Sequence, residues 1–339
     1  MQKGILIIIF SVLAARIFPQ TGGDHVYEFL NLTHSGLISS LGGSNVSLAG
    51  SSLNLAYHNP ALLSHEMDKS LSLNYVNYFA GINYGLAMYS RSVPGTGNFA
   101  AGINYLNYGS FTEADPSGNI TGKFNASEYA VSLIYSREID SLFTLGINIK
   151  PVLSSLEKYT SFGFAVDAGL SWHAKNRQTS AGIVIRNAGY QVTRYAGEPR
   201  ETLPFEIMAG ITHELAYAPF RFSLTYRHLQ QYKMTYENGD NQEESSGKNA
   251  FAENLLRHLI PGVELIPHKN FYLSAGYNFK RRQELTVPVR SSTAGLTWGF
   301  GIRTTWLDVE LGRARYHIAG ASTNVSLILR PALIYRKER

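Results

Sequence analysis

Apolar and polar residues alternate with a period of two along much of the chain. The clearest stretch is 161–173, in which Phe162 and Val166 fall on one parity and Gly163 and Asp167 on the other. A β-strand sends successive side chains to opposite faces, so this stretch predicts a strand with one apolar and one small or polar face. Its length suits the ~9–11 residues with which a tilted strand crosses a bilayer, and apolar-out, polar-in alternation is typical of a transmembrane barrel.

Fourteen alternating segments can be delimited, an even number, as in bacterial single-chain barrels. We predict strands at 71–78, 82–91, 98–108, 127–138, 142–153, 161–173, 179–187, 203–213, 219–229, 261–267, 270–280, 292–302, 306–315 and 323–335. Connections after the even-numbered strands are short and most others are longer, as expected for periplasmic turns and outer loops. The predicted fold is all-β: a 14-stranded antiparallel transmembrane β-barrel formed by residues 67–339.

The N-terminal region lacks this alternation. Residues 1–20 have the basic start and short apolar run of a secretory signal peptide. We expect 21–66 to form a helical plug inside or below the barrel, because Leu37, Ile38 and Leu41 have helical spacing. The plug residues expected to end or open short helices are Gly42, Gly43, Asn59, Pro60 and Ala61.

Composition supports a membrane protein without catalytic chemistry. Only 16% of the 339 residues are charged, against ~25% in soluble domains, and the mean hydropathy of -0.11 suits strands that are half polar. With no cysteine, the chain has no disulfide, thiolate metal site or cysteine nucleophile. The ten histidines are dispersed, and no hydrolase, Walker or Rossmann motif occurs. We expect no catalytic residue, cofactor or metal.

Two further alternatives are disfavoured by where residues fall. A barrel hydrolase would need a serine and a histidine together on the outer wall, whereas Ser161 and His173 lie at opposite ends of one predicted strand. A nucleic-acid partner is not expected, because the net charge of +5 is spread over strands and loops instead of forming one basic patch.

Strand parity also places many charged side chains in the barrel interior. Unpaired charges in a closed interior are costly, so these should pair across strands or be solvated. A salt-bridge lattice that stiffens the barrel is the favoured interpretation, and a channel or substrate path is the alternative. The predicted lumen charges are Lys150, Asp167, Arg186, Glu206, Arg221, Arg227, Asp308 and Glu310, together with Lys280, Arg303 and Arg330.

The outer loop at 230–260 contains a predicted amphipathic helix. Apolar residues recur there at helical spacing, and a proline ends the pattern. The helix either packs on the barrel mouth or docks a partner. Its apolar residues are Phe251, Leu255, Leu256 and Leu259. A second rim feature is the basic triplet Lys280, Arg281 and Arg282, which could contact anionic lipid headgroups.

Four stretches of the chain resemble the PorQ family, outer-membrane components of the Bacteroidetes type IX secretion system. They are 21–32, 41–48, 57–63 and 71–82, which read TGGDHVYEFLNL, LGGSNVSL, YHNPALL and LSLNYVNYFAGI. The wider pattern is similar to PorV and to FadL-type fatty-acid transporters, which implies 14 strands and an N-terminal plug. The resemblance implies an integral outer-membrane protein of a Gram-negative bacterium.

The resemblance further implies a non-enzymatic function. Family members belong to a cell-surface attachment complex with the PorU sortase, PorV and PorZ, and this complex links secreted cargo to anionic lipopolysaccharide. PorU-like, PorV-like and PorZ-like proteins, outer-membrane lipid and lipopolysaccharide are therefore the expected partners. No catalytic residue is implied for this component.

The alternative function is FadL-like transport of a hydrophobic small molecule across the outer membrane. A transporter should enclose an apolar pocket that leads from the rim past the plug. A scaffold should have a filled or salt-bridged lumen and an exposed apolar rim. For the wall itself, we expect Val166→Arg to impair assembly more than Asp167→Asn, because residue 166 should face lipid and residue 167 a polar lumen.

Overall fold

The structure is a computed structural model that describes residues 25–78, 81–231, 248–284, 293–317 and 320–334. The predicted signal peptide at 1–20 lies outside the described residues, as does 232–247 of the outer loop.

Fourteen antiparallel strands form a closed barrel in which each strand pairs with its neighbours in sequence and β1 pairs with β14. The strands are β1 Leu71–Asn77, β2 Asn83–Val93, β3 Gly97–Ala114, β4 Ile120–Glu138, β5 Phe143–Leu156, β6 Tyr159–His173, β7 Thr179–Thr193, β8 Glu206–Glu214, β9 Phe220–Tyr226, β10 Leu259–His268, β11 Phe271–Tyr277, β12 Leu296–Arg303, β13 Leu307–His317 and β14 Gly320–Leu329. The predicted fold class is confirmed, with every predicted strand overlapping an observed one.

Short helices occupy the N-terminal segment and the outer rim. The α-helices are α1 Gly36–Ser40, α2 Leu55–His58, α3 Lys248–His258, α4 Phe279–Glu284 and α5 Pro331–Ile334, and 3-10 turns span Glu28–Asn31, Pro60–Leu62 and His65–Met67. No helix among the described residues is long and apolar enough to cross a membrane.

Several strand ends differ from the predicted bounds. The predicted loop between the third and fourth strands is largely a continuation of β3 and β4, in which Phe111 and Phe124 stack at 5.2 Å between ring centroids. At the C-terminus β14 ends at Leu329, because Pro331 has no backbone N–H for the ladder and instead opens α5. Leu259 was predicted to belong to the outer helix, and that prediction is wrong because Leu259 is the first residue of β10.

The outward parity of the strands is apolar, as the alternation predicts. Large side chains exposed on this face include Leu73, Ile103, Leu133, Ile183, Leu224 and Leu273. Aromatic residues mark both ends of the band, with Tyr75, Tyr105 and Tyr129 at one end and Phe143 and Trp306 at the other. An apolar band between aromatic rows is the outer surface of a membrane barrel. All connections after even-numbered strands are short, whereas the longest connections follow β7, β9 and β11, which identifies the first end as periplasmic. The prediction that most connections after odd-numbered strands are long is wrong for β3 and β5, which are followed by only five and two residues.

Candidate functional site

The barrel interior is occupied by the N-terminal segment, residues 25–67, which we call the plug. Its residues are buried without a break from Thr33 to Leu48 and again from Ser52 to Leu63. The plug contains five short helical turns between Glu28 and Met67. The chain changes direction between them and so fills the interior. The plug is therefore the element around which any function of the lumen must be built.

Helix α1 forms because its ends are capped within a few residues. The Ser35 hydroxyl accepts a hydrogen bond from the Ile38 amide at 3.3 Å, and the Gly43 amide returns to the Ile38 carbonyl at 3.0 Å. Gly42 and Gly43 have φ values of 94° and 92°, a region that glycine adopts without strain. The predicted glycine pair thus ends α1 and turns the chain toward the next part of the plug.

The predicted Asn-Pro-Ala motif turns the plug a second time. The Asn59 side chain accepts from the Ala61 amide at 3.0 Å and donates to the Val46 carbonyl at 2.8 Å, which ties two passes of the plug together. Pro60 lies at the first position of a 3-10 turn, where its missing N–H is not needed. The motif packs directly on the wall, against Gly146 and other residues of β5 and β6.

Glycines facing inward on the wall let the plug backbone approach it closely. A Cβ at Gly312 would overlap the backbone of Gly36, and a Cβ at Gly276 would overlap that of Gly42. A Cβ would also overlap plug backbone at Gly146 and Gly182, and plug side chains at Gly169 and Gly299. We call this set the glycine belt: Gly146, Gly169, Gly182, Gly276, Gly299 and Gly312. Because the contact is atom against atom on both sides of the interior, the plug and the wall are closely packed at the belt.

Two apolar clusters join the plug to the wall. Leu37, Leu41 and Leu48 cluster with Leu86 and Met88, the inward-facing residues of β2. Nearer the outer mouth, a second cluster combines plug residues with inward residues of β1 to β6 and one residue of the loop between β7 and β8: Val26, Tyr27, Phe29, Leu30, Val76, Tyr84, Leu106, Ala130, Val152, Ala165 and Leu203. The plug and the barrel therefore share hydrophobic cores.

Most of the predicted lumen charges form ion pairs within the wall. Lys150 and Asp167 are fully buried and lie 2.6 Å apart, Nζ to Oδ1. Three further pairs are bidentate, each joining an arginine to a carboxylate at 2.6–2.9 Å. They are Arg221 with Glu264, Arg227 with Glu206, and Arg330 with Asp308. Bidentate geometry and full pairing are what buried charges require.

Glu264 was not among the predicted lumen charges. It lies directly opposite Arg221 in the register of β9 and β10, so inward parity combined with strand pairing could have identified it.

Two lumen charges bond to the plug instead. Glu310 on β13 accepts hydrogen bonds from the Ser52 hydroxyl at 2.8 Å and from Ser35, the cap of α1, at 3.1 Å. Arg186 on β7 donates to the Leu30 carbonyl at 2.9 Å, with its guanidinium 5.7 Å from the Tyr57 ring centroid. These contacts attach the plug to opposite parts of the wall through charge-assisted hydrogen bonds.

Two histidines of the plug are held neutral by their burial. Desolvation lowers the pKa of His34 to about 4, although its hydrogen bond to Asn104, at 2.8 Å, opposes the shift. Desolvation also lowers the pKa of His58 well below its usual value, with the charge of Arg186 acting in the same direction. His34 and His58 are both buried, so the part of the lumen around them is filled by protein.

The outer mouth is covered by the start of the plug and the loop between β7 and β8. The Val26 amide donates to the Thr202 carbonyl at 3.1 Å, and the side chains of His25 and Thr202 lie 2.7 Å apart. Leu203 is buried beneath this contact. The loop thus holds the first described residues of the plug in place.

The predicted rim features lie on separate helices. In α3 the side chains of Phe251, Leu255 and Leu256 are 58%, 39% and 39% exposed, whereas Leu259 is half-buried in β10. The basic triplet belongs to α4, where Lys280 lies 3.7 Å from Glu284; Lys280 was predicted to point into the lumen from a strand, and that prediction is wrong because β11 ends at Tyr277. Arg281 and Arg282, also in α4, are half-buried.

Comparison with known proteins identifies the architecture. The chain is similar to the toluene transporter TodX of Pseudomonas putida, with a TM-score of 0.50, 13% sequence identity, and coverage of 88% of this chain and 97% of TodX. It is also similar to a deltaS2 mutant of the TodX monoaromatic hydrocarbon channel, with a TM-score of 0.52, 12% identity, and coverage of 87% and 97%. A FadL homologue of Pseudomonas aeruginosa has a TM-score of 0.47 at 10% identity, over 88% of this chain and 97% of that one.

No family model matches the chain, and no curated protein matches it. At these identities the likeness establishes the fold alone: a closed antiparallel β-barrel of 14 strands, like that of TodX, with a short N-terminal helical segment inside. The apolar outer band and the aromatic rows agree with an integral outer-membrane protein.

Proposed function

We propose that this barrel is a non-enzymatic scaffold of the outer membrane, and that it serves in the type IX secretion attachment complex that links secreted cargo to anionic lipopolysaccharide. One observation carries the scaffold function: the lumen is filled by the plug, which packs on the glycine belt and shares apolar cores with the wall. A filled, ion-paired interior suits a rigid support for partners. The assignment to this particular system rests on the resemblance of four sequence stretches to the PorQ family.

The proposed partners are a PorZ-like surface protein, a PorU-like sortase and a PorV-like barrel. Helix α3 is a candidate docking site on the outer rim, because Phe251, Leu255 and Leu256 are exposed on a helix that lies above the membrane band. Apolar anchors at helical spacing are a common mode of partner recognition. The basic residues of α4 are a candidate contact for lipopolysaccharide or other anionic lipid.

A second candidate function is transport of a hydrophobic small molecule. It is favoured by the solved structures with the same fold, which are described as a toluene transporter and a monoaromatic hydrocarbon channel. These neighbours suit transport better than attachment. Passage of a substrate along the whole lumen would require displacement of the plug from the glycine belt, and with it the breaking of the Glu310 and Arg186 contacts.

A deletion strain separates the two functions. Loss of cargo from the cell surface into the medium, with unchanged uptake of toluene and of long-chain fatty acid, supports the scaffold. Loss of uptake with normal cargo attachment would overturn it in favour of transport. Affinity purification of the tagged barrel from native outer membranes then tests whether PorZ-like, PorU-like and PorV-like proteins accompany it.

A further inference from the structure

The lipid-facing wall of β2 to β5 contains a groove of about 400 Å³ near its periplasmic end. The floor is Ala101 on β3, whose cross-strand partners are the much larger Tyr89 and Leu133. A single methyl group between two large side chains leaves a depression in the outer wall. The lining is almost entirely apolar, and its position within the apolar band opens it to lipid.

The periplasmic end of the groove is closed by two aromatic rings held in fixed positions. Phe99 and Tyr135 are cross-strand partners with ring centroids 5.0 Å apart. The Tyr135 hydroxyl donates to the Thr96 carbonyl in the turn between β2 and β3, at 2.8 Å. Gly97 has a φ of 138°, and a Cβ there would lie 2.8 Å from the Tyr135 ring, so glycine permits this ring position. The groove is thus shaped by the backbone as well as by side chains.

Arg91 supplies a cation beside the closed end. It is the cross-strand partner of Phe99, two residues before the end of β2, and its side chain is 52% exposed. The carboxylate nearest to it in the structure, Asp68, lies 3.9 Å from Nη1 and already accepts the Ser92 amide at 2.8 Å. The guanidinium therefore keeps donors for a further acceptor at the level of the lipid headgroups.

We propose that this groove binds one phospholipid of the periplasmic leaflet, with an acyl chain over Ala101 and the phosphate on Arg91. The apolar groove lies toward the membrane centre and the cation toward the periplasmic end. A phospholipid of this leaflet places its acyl chain and its phosphate in the same two positions. Arginine binds phosphate through paired N–H donors, which fixes the headgroup at one place on the wall.

Native mass spectrometry of the purified barrel titrated with dioleoyl phosphatidylglycerol tests the site. Arg91→Gln should weaken retention of the first lipid by about tenfold, the effect of losing one charge-assisted contact. Arg137→Gln is the matched control, because Arg137 lies at the same end of the wall outside the groove. Equal loss in both variants, or in neither, would show ordinary boundary lipid and overturn the proposal.

The acyl-chain contact is tested separately. Ala101→Phe should fill the groove and reduce retention, whereas Ala275→Phe, on the lipid face of β11, should not. A short-chain dihexanoyl phosphatidylglycerol should bind weakly to wild type and be insensitive to Ala101→Phe. Heat-modified mobility on cold gels establishes that each variant is folded. For the phosphate contact, Arg91→Lys should retain the lipid less well than wild type and better than Arg91→Gln if paired donors are required. Retention unchanged by Ala101→Phe in a folded barrel would contradict the placement of the chain.

Discussion

The two sides of the barrel interior differ in the charged and apolar side chains that they present to the plug. On β2 to β4 the inward residues include Leu86, Met88 and Ile134, and the plug packs on them through apolar side chains. The wall from β8 to β14 carries the three bidentate arginine–carboxylate pairs. It also carries Glu310, which accepts hydrogen bonds from two serines of the plug. Apolar packing tolerates small shifts of the plug, whereas directional hydrogen bonds fix the position of the plug against the wall. The plug is thus stabilised by the first side and oriented by the second.

Breaking a buried ion pair of the wall should have the largest effect. Asp167→Asn leaves Lys150 buried without its charge partner, which costs ~3–5 kcal/mol. Val166→Arg places a cation on the lipid face and costs ~2–4 kcal/mol. The expectation from sequence, that Val166→Arg is the more damaging change, is therefore reversed by the burial of Asp167. Urea unfolding followed by tryptophan fluorescence compares them, and a folded, wild-type-like Asp167→Asn barrel would contradict the buried pair.

A cavity on the apolar side should have the next largest effect. Leu63→Ala removes buried methyl groups where the plug meets Asn98 of β3 and Ser136 of β4, both of which donate to the Leu63 carbonyl, and should cost ~3–4 kcal/mol. Leu224→Ala, on the lipid face of β9 and 41% exposed, is the matched control and should cost clearly less. The measurement is again the urea midpoint. Equal losses would mean that the plug leucines contribute no more than lipid contacts do.

Acid should weaken the apolar side through the plug histidines. An unfolded histidine binds a proton below pH 6.5, whereas His34 in the folded protein does so only below about 4, so protons favour the unfolded state. The free energy of unfolding is therefore unaffected by His34 above pH 6.5 and decreases by about 3 kcal/mol as the pH drops toward 4. His34→Gln should flatten this part of the profile, and His268→Gln, at the exposed end of β10, should not. An unchanged dependence of stability on pH in His34→Gln would contradict the assignment of the acid-induced loss to His34.

The outer helix should affect partners without affecting stability. Leu255→Asp combined with Leu256→Asp changes exposed side chains, so unfolding should shift by no more than ~0.5 kcal/mol for each. Pull-down of the PorZ-like protein should fall sharply if α3 is a docking site. Glu253→Gln, on an exposed position of the same helix, controls for general disturbance. Unchanged recovery from a folded barrel would remove α3 from the interface.

Outward faces were more predictable than interior contacts. Period-two alternation identified the strands and their lipid face because every outward residue meets the same solvent. Interior contacts depend on the tertiary path: Arg186 lies opposite Glu206 in register, yet Glu206 pairs with Arg227 and Arg186 bonds to the plug. A signal of the plug was present on β2, where Leu86 and Met88 make the inward parity apolar as well. In a water-filled barrel those positions would be polar.

A reversible lock on the plug tests most directly whether the filled lumen is the working state. The hydroxyl oxygens of Ser40 in the plug and Ser274 on β11 lie 2.6 Å apart, and the native chain has no cysteine to interfere. In cells carrying Ser40→Cys with Ser274→Cys, we predict that the oxidised barrel still keeps cargo on the cell surface, with hydrocarbon uptake equal before and after reduction. Uptake that is abolished by the lock and restored by a reductant would contradict the scaffold and establish a plug that moves to let substrate through.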